Sequence, residues 1–447
     1  MFLQKPKGVH APHRKNTCNM QPVKMPVPAT VTIPMSMHIG APAKPVVKVG
    51  ETVQVGQIIA EGGGFVSAPI HASVSGKVKK LDEILGSNGA YMTAIVIESD
   101  AEQTPFEGLA PRKVETCEEF VAAVRDSGIV GLGGAGFPAS VKLAADPAKV
   151  EAIILNGAEC EPYITSDTRT MLDRSEEVWA GIQLLQKLYS PERIIIGIEK
   201  NKPECIALYK ELCASTTGVE VGVLPSIYPQ GGEKVLIRQT TGRIVPEGKL
   251  PLDVGCIVLN VTTLAAIVQF ITTGMPLVEK CITVDGSAVA EPKNVIVPIG
   301  TAMQEVFEFC GGFKEEPKKV LYGGPMMGIA VPTLESPVLK NTNAILAFNE
   351  KDAQTPPESP CIRCGKCISQ CPLNLIPTAL NAAYLNGDCQ TLEKLKVGLC
   401  MECGCCNFVC PANRQLVQSN KLAKAMLRTY QMAQKAQEEK KKEAAAK

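Results

Sequence analysis

Two cysteine runs of identical spacing constrain this chain more than any other feature. Cys361, Cys364, Cys367 and Cys371 are separated by two, two and three residues, and Pro372 follows; Cys400, Cys403, Cys406 and Cys410 repeat the pattern, and Pro411 follows. Three thiolates from one tight loop can wrap an iron–sulfur cube, while the fourth, one turn later, reaches a neighbouring cube. The spacing therefore predicts two [4Fe–4S] clusters with crossed ligands: Cys361, Cys364 and Cys367 with Cys410, and Cys400, Cys403 and Cys406 with Cys371. Each proline turns the chain away after its last ligand. The competing chemistry is a pair of structural zinc sites, which isolated C-x2-C pairs bind well; a fixed run of four thiols occurring twice favours the clusters. Cys389 and Cys405 fall outside the spacing and read as incidental thiols.

Ten of the 18 cysteines lie between Cys361 and Cys410, and the N-terminal MFLQKPKGVH lacks the apolar core of a signal peptide. Ligand thiols in a reducing compartment are expected, not a disulfide framework. With 46 Lys and Arg against 45 Asp and Glu, no strong field exists to hold nucleic acid. The run from Val254 to Val278 approaches membrane length, but Asn260, Thr262, Thr263, Gln269, Thr272 and Thr273 interrupt it and Gly274 and Pro276 close it. It reads as a buried strand followed by a helix, so no transmembrane helix is expected.

A length of 447 residues calls for several packed units. Short Val/Ile runs between glycine turns from Val46 to Ser99 predict a barrel-sandwich-like β domain over residues 1–108. Its order is similar to the biotinyl/lipoyl barrels, in which a hairpin-tip lysine carries the cofactor. Here the tip, Glu61 to Val66, has no lysine, so a docking or structural role is expected. Residues 112–275 alternate strands (150–155, 193–198, 219–224 and 256–261) with amphipathic helices such as SEEVWAGIQLLQKL. That alternation predicts a parallel, Rossmann-like sheet with its ligand at the strand C-termini. Residues 276–348 read as a β-grasp unit, 355–420 as a helical two-cluster ferredoxin-like unit behind the linker DAQTPPESP, and 421–447 as a basic helical tail. From Arg414 onward there are nine Lys or Arg and three Glu, a charge that suits an acidic ferredoxin or a lipid surface; a solvated helix is the plainer reading beyond Tyr430.

The sheet unit opens on a glycine loop, Gly128 to Pro138, with Lys142 beyond it, and its first strand ends in Asn156-Gly-Ala-Glu-Cys-Glu-Pro162. Glycines so dense let backbone approach a flat or phosphorylated ligand. With YPQGGEK (228–234) and LNVTTLA (259–265), these motifs resemble the FMN- and NADH-binding subunit of respiratory complex I. Two cluster motifs, the lysine-less barrel and KGVHAPHRK near the start are instead similar to the RnfC family, the C subunits of the Rnf ion-translocating electron transport complexes, and that resemblance covers about residues 8 to 415. It names the β-grasp unit as SLBB-like. It implies FMN cradled by Gly133, Gly134 and Gly136, Lys142 near the flavin or its phosphate, and hydrogen bonds from Asn156, Asn260 and Thr263. It further implies Phe137 stacked on nicotinamide or adenine, with Glu159, Glu161, Gly232 and Glu233 shaping the NAD(H) pocket. Ala158 and Lys234 depart from the complex I pattern, which has acids at both places.

Hydride donors release two electrons together and clusters accept one, so a flavin must stand between them. The resemblance implies an NADH:ferredoxin oxidoreductase component of an ion-translocating complex, peripheral on the cytoplasmic face of the cell membrane. Its expected partners are the other Rnf subunits, NADH and ferredoxin. A soluble cobalamin reductase with the same cofactors, and a non-catalytic electron-wiring protein, are the alternatives; the barrel in front of the glycine loop favours the Rnf reading.

Overall fold

The computed structural model describes residues 6–86 and 89–445; Lys447 of the basic tail lies outside them, as do the side chains beyond residue 442. The β-rich first unit has a four-stranded sheet, in the order Thr30–Pro34, Tyr91–Ser99, Gly76–Leu85, Thr52–Val53, and a three-stranded sheet of Lys44–Pro45, Ile58–Glu61 and Ile70–His71. Val31, Ile33, Ile59, Ile95 and Ile97 are fully buried between them, the inward half of each alternating strand. At the hairpin tip, Phe65 is 80% exposed.

In the second unit the strand order is Val219–Leu224, Arg193–Glu199, Ala152–Gly157, Cys256–Asn260, all parallel. Their near-continuous apolar sequences suit a sheet covered on both faces. The chain order reverses between Ala152–Gly157 and Cys256–Asn260, and there Asn156 and Asn260 are register partners. The apolar run expected to be strand plus helix is Cys256–Asn260 followed by the helix Val261–Thr273; the Asn260 side chain accepts from Thr263 N–H at its start, and Gly274 ends it in the left-handed region. No helix among the described residues is long and apolar enough to cross a membrane.

The third unit is a six-stranded mixed sheet around Glu279–Asp285 and Lys293–Pro298, with the helix Met303–Phe309 packed on it. Its edge strand, Val23–Lys24, comes from the other end of the chain and pairs in parallel with Lys293–Pro298. The preceding residues form a strap across the units. Lys7 donates to Asn374 Oδ1, Val9 bridges Tyr228, Lys15 donates to the carbonyls of Glu159, Glu161 and Ile164, and Asn294 donates to Thr17 O.

The last unit is helical. Pro377–Leu385, Cys389–Lys394 and the long Leu416–Ala445 enclose Leu380, Leu392, Val397, Ala423 and Leu427. Beyond Tyr430 the long helix is almost wholly exposed.

Candidate functional site

A cleft of about 410 Å³ lies at the C-terminal edge of the parallel sheet, where open α/β sheets place their ligands. All twelve residues expected to touch flavin or nucleotide line it. A Cβ on Gly134 would meet nothing within 4 Å, so this face of the loop is open to a flat ligand while the Gly134 carbonyl accepts from Asn341 Nδ2 at 3.2 Å, and Gly136 has φ +72°. A Cβ on Gly133 would stand 2.4 Å from Asn260 Nδ2, so only glycine lets the loop close on the strand end.

Neighbours already engage the polar groups. Lys142 pairs with Glu233 at 2.7 Å and donates to Val258 O at 3.0 Å. Asn156 donates to Gly231 O and accepts from Ala158 N–H, and the Thr263 hydroxyl accepts from Leu132 N–H. Glu159 is buried, and its carboxylate accepts from Asp167 N–H and from the Thr168 hydroxyl, both at 2.7 Å, at the head of the helix Ser166–Asp173. Burial pushes Glu159 up and Lys15 down, each partly offset by the other's charge. Burial also raises Glu161 to about 7, against the backbone N–H groups of Met326 and Met327, which donate to it.

The two cysteine runs share one backbone conformation, offset by 39 residues. Arg363, Gly365 and Asn374 take positive φ in the first, and Glu402, Gly404 and Asn413 in the second. The short helices Lys366–Ser369 and Cys405–Phe408 occupy equivalent places. Each cavity draws thiols from both runs: Cys361, Cys364, Cys367 and Cys410 line one, and Cys371, Cys400, Cys403 and Cys406, with Cys405 beside them, line the other. The groupings match the crossed spacing argument. N–H groups of Arg363, Leu375 and Asn420 point at the sulfurs of Cys361, Cys371 and Cys400, at 3.3 to 3.4 Å. Among the described residues no three His, Cys, Asp or Glu side chains converge closely enough to hold one metal ion. Cysteines from both runs, with N–H groups directed at three of their sulfurs, form a donor set of the kind that iron–sulfur clusters take. Cys405 falls outside the spacing yet lines the second cavity, buried with its thiol toward Tyr228 O, and Cys389 starts the Cys389–Lys394 helix.

Met401 lines both the cleft and the Cys371/Cys400/Cys403/Cys406 cavity, so the two share a wall. The other cavity opens outward, with Cys361 and Cys364 exposed. Sequence reasoning missed Met401, Asp167, Tyr228 and Asn343 of the cleft lining, and Lys15 beneath it. Lys15 sits within the KGVHAPHRK motif, which was a usable signal; Met401 and Asn343 arrive from other units and left none.

Family models match three segments: the RnfC barrel sandwich hybrid domain at residues 3–102, the Nuo51 FMN-binding domain at 124–269, and the SLBB domain at 281–330. The C subunit of the proton-translocating ferredoxin:NAD(+) oxidoreductase complex of Clostridium ljungdahlii is 45% identical over 379 residues, 84% of this chain and 83% of that one. Its counterpart from the Na(+)-translocating complex of Acetobacterium woodii is 44% identical, covering 83% and 85%. The counterpart from the ion-translocating oxidoreductase complex of Rhodobacter capsulatus is 39% identical, covering 94% and 82%. An air-oxidized NAD+-reducing [NiFe]-hydrogenase chain superposes with TM-score 0.49 at 19% identity, over 70% of this chain and 63% of that one, too distant to add to the assignment. Identity and coverage together decide the family: the chain belongs to the RnfC family, the C subunits of the ion-translocating ferredoxin:NAD(+) oxidoreductase, or Rnf, complexes.

Proposed function

We propose that this chain is the NAD(H)-reactive, peripheral subunit of an ion-translocating ferredoxin:NAD(+) oxidoreductase, with one FMN and two [4Fe–4S] clusters, on the cytoplasmic face of the membrane. The observation that carries this reading is the adjacency of the glycine-loop cleft and a cysteine-lined cavity across Met401, with a second cysteine-lined cavity opening at the surface. Bound flavin supplies the exchange between paired and single electrons, and bound clusters supply one-electron relay.

The chain's own residues do the holding and excluding. Gly133, Gly134 and Gly136 offer bare backbone to the flavin, and Lys142, already half-buried beside Glu233, offers its ammonium to the phosphate. Phe137 and Gly232 line the same cleft and would flank the nicotinamide nucleotide. Cys371, Cys400, Cys403 and Cys406 would hold the cluster nearer the flavin; Cys361, Cys364, Cys367 and Cys410 would hold the outer one, facing the other subunits of the complex or ferredoxin. The likeness to an Rnf relative over 84% of this chain, together with the match of residues 3–102 to the RnfC barrel, speaks against the soluble cobalamin reductase.

Anaerobic isolation followed by iron, sulfide and flavin analysis tests the assignment. About eight iron atoms and one FMN per chain are expected, with NADH bleaching the flavin absorbance. Zinc in place of iron would falsify the cluster reading. Iron without FMN uptake would leave only the wiring role.

A further inference from the structure

Lys280 belongs to the SLBB-like sheet, on the strand Glu279–Asp285, yet its ammonium is buried and donates across the unit boundary to Leu132 O at 2.5 Å. Leu132 lies inside the glycine loop, and its own N–H donates to the Thr263 hydroxyl at 3.0 Å. The loop is thus gripped at one residue from both sides, by side chains 131 and 148 positions away in sequence. In a trans peptide the N–H points opposite to the C=O. The partner of Leu132 O in its peptide is the Gly133 N–H, directed away from Lys280, and it has no acceptor among the described residues. A cation on the carbonyl polarises the peptide and strengthens that N–H as a donor.

Asp167 provides the opposing charge. It lines the cleft, accepting from Asn260 Nδ2 at 2.7 Å and from the Thr262 hydroxyl at 2.6 Å. The Thr262 hydroxyl also lies 2.9 Å from the Thr170 hydroxyl. An asparagine at 167 is therefore accommodated: its amide donates to Thr262 Oγ1, which donates onward to Thr170 Oγ1.

Resting on the flavin reading above, we propose that Lys280 is a positioning residue for the flavin. It sets the glycine loop and, through the Leu132–Gly133 peptide, favours the electron-rich reduced form over the oxidised one, while Asp167 works in the opposite direction. The SLBB-like unit thereby contributes to the redox site and does more than support it. Burial lowers Lys280 to about 7, with Asp167 and the Cys281 thiol drawing it back up. Behind it a cavity of about 860 Å³ opens toward solvent, walled by the pairs Arg169–Asp173 and Arg174–Glu177, each of which compensates itself. Lys280 can therefore take up and release its proton, and its influence should fade above its titration.

The test uses the full chain, prepared anaerobically, with FMN affinity and the flavin's two-electron midpoint potential as readouts at pH 6 and pH 9. For Lys280→Met at pH 6, reduced flavin should lose about tenfold in affinity relative to oxidised flavin, a fall of ~30 mV in potential. The gap from wild type should close at pH 9, and Lys280→Arg should keep the wild-type value at pH 6. Asp167→Asn should raise the potential. A purely structural role predicts loosened binding in both variants without opposite shifts. An unchanged potential in a folded, FMN-binding Lys280→Met chain overturns the inference. If Lys280→Met does not fold, a potential in Asp167→Asn that stays level or falls overturns it. Failure of the wild-type chain to take up FMN sinks the flavin reading itself, and this inference with it.

Discussion

The two cysteine runs have one spacing and one backbone, yet they occupy opposite environments. At the second position of the repeat, Ile362 is 67% exposed, whereas Met401 is tucked between the glycine-loop cleft and its cavity. A Cβ on Gly365 would meet nothing within 4 Å; on the equivalent Gly404 it would stand 2.8 Å from Met326 O. Val9, Tyr228, Met326 and Cys160 close over the second run, which makes one site internal and leaves the other open to solvent. The repeat makes two cysteine loops of equivalent backbone, and packing alone ranks them. The same local chemistry acquires an order of use from its surroundings.

The largest test of that ranking separates the sites by ligand removal. Cys403→Ala and Cys364→Ala should each retain about half the iron, since each leaves one complete four-thiol set. Rapid mixing with NADH should bleach the remaining cluster in Cys364→Ala at the wild-type rate and leave that in Cys403→Ala oxidised. Fast bleaching in both chains would make the two sites interchangeable. A smaller effect is expected from alanine at the equivalent glycines. Both have φ near +80°, so each substitution carries a strain of about 1–2 kcal/mol. Gly404→Ala also drives a methyl into Met326 O, and anaerobic denaturation should show it less stable than Gly365→Ala by about a further 1–3 kcal/mol.

The smallest effect concerns Glu161, which holds the Met326–Met327 turn beside the inner run. Its folded value of about 7 exceeds its ordinary 4.5, so the folded chain binds more protons between those values. Stability should therefore fall as pH rises through that window, with a slope below ~1.4 kcal/mol per pH unit because the side chain retains some solvent contact. Glu161→Gln should flatten the profile between pH 5.5 and 7.5, measured as the denaturation midpoint of anaerobic protein. An unchanged slope would place the pH response elsewhere.

Much of the fold was legible because its signals are local. The strands at Arg193–Glu199 and Val219–Leu224 announce themselves by apolar runs between turns, and the glycine loop by composition. The twelve cleft residues were legible through motifs separated by helices of ordinary length. Lys280 was not, because a lysine on a strand predicts a solvent-facing side chain and only the neighbouring unit supplies the carbonyl that buries it. Nor did the N-terminal strap advertise itself, since an extended segment held by carbonyls and single side chains has no periodicity.

Thiol spacing by itself predicted which cysteines gather at each of the two cavities, because the reach of a tight loop is set within a dozen residues. Apolar periodicity likewise determined a parallel sheet with a cleft at its carboxyl edge. Tertiary structure alone decided which site faces the cleft, which faces outward, and which distant lysine grips the glycine loop. Those outcomes depend on contacts between units hundreds of residues apart, where shape and burial act and no local pattern records them.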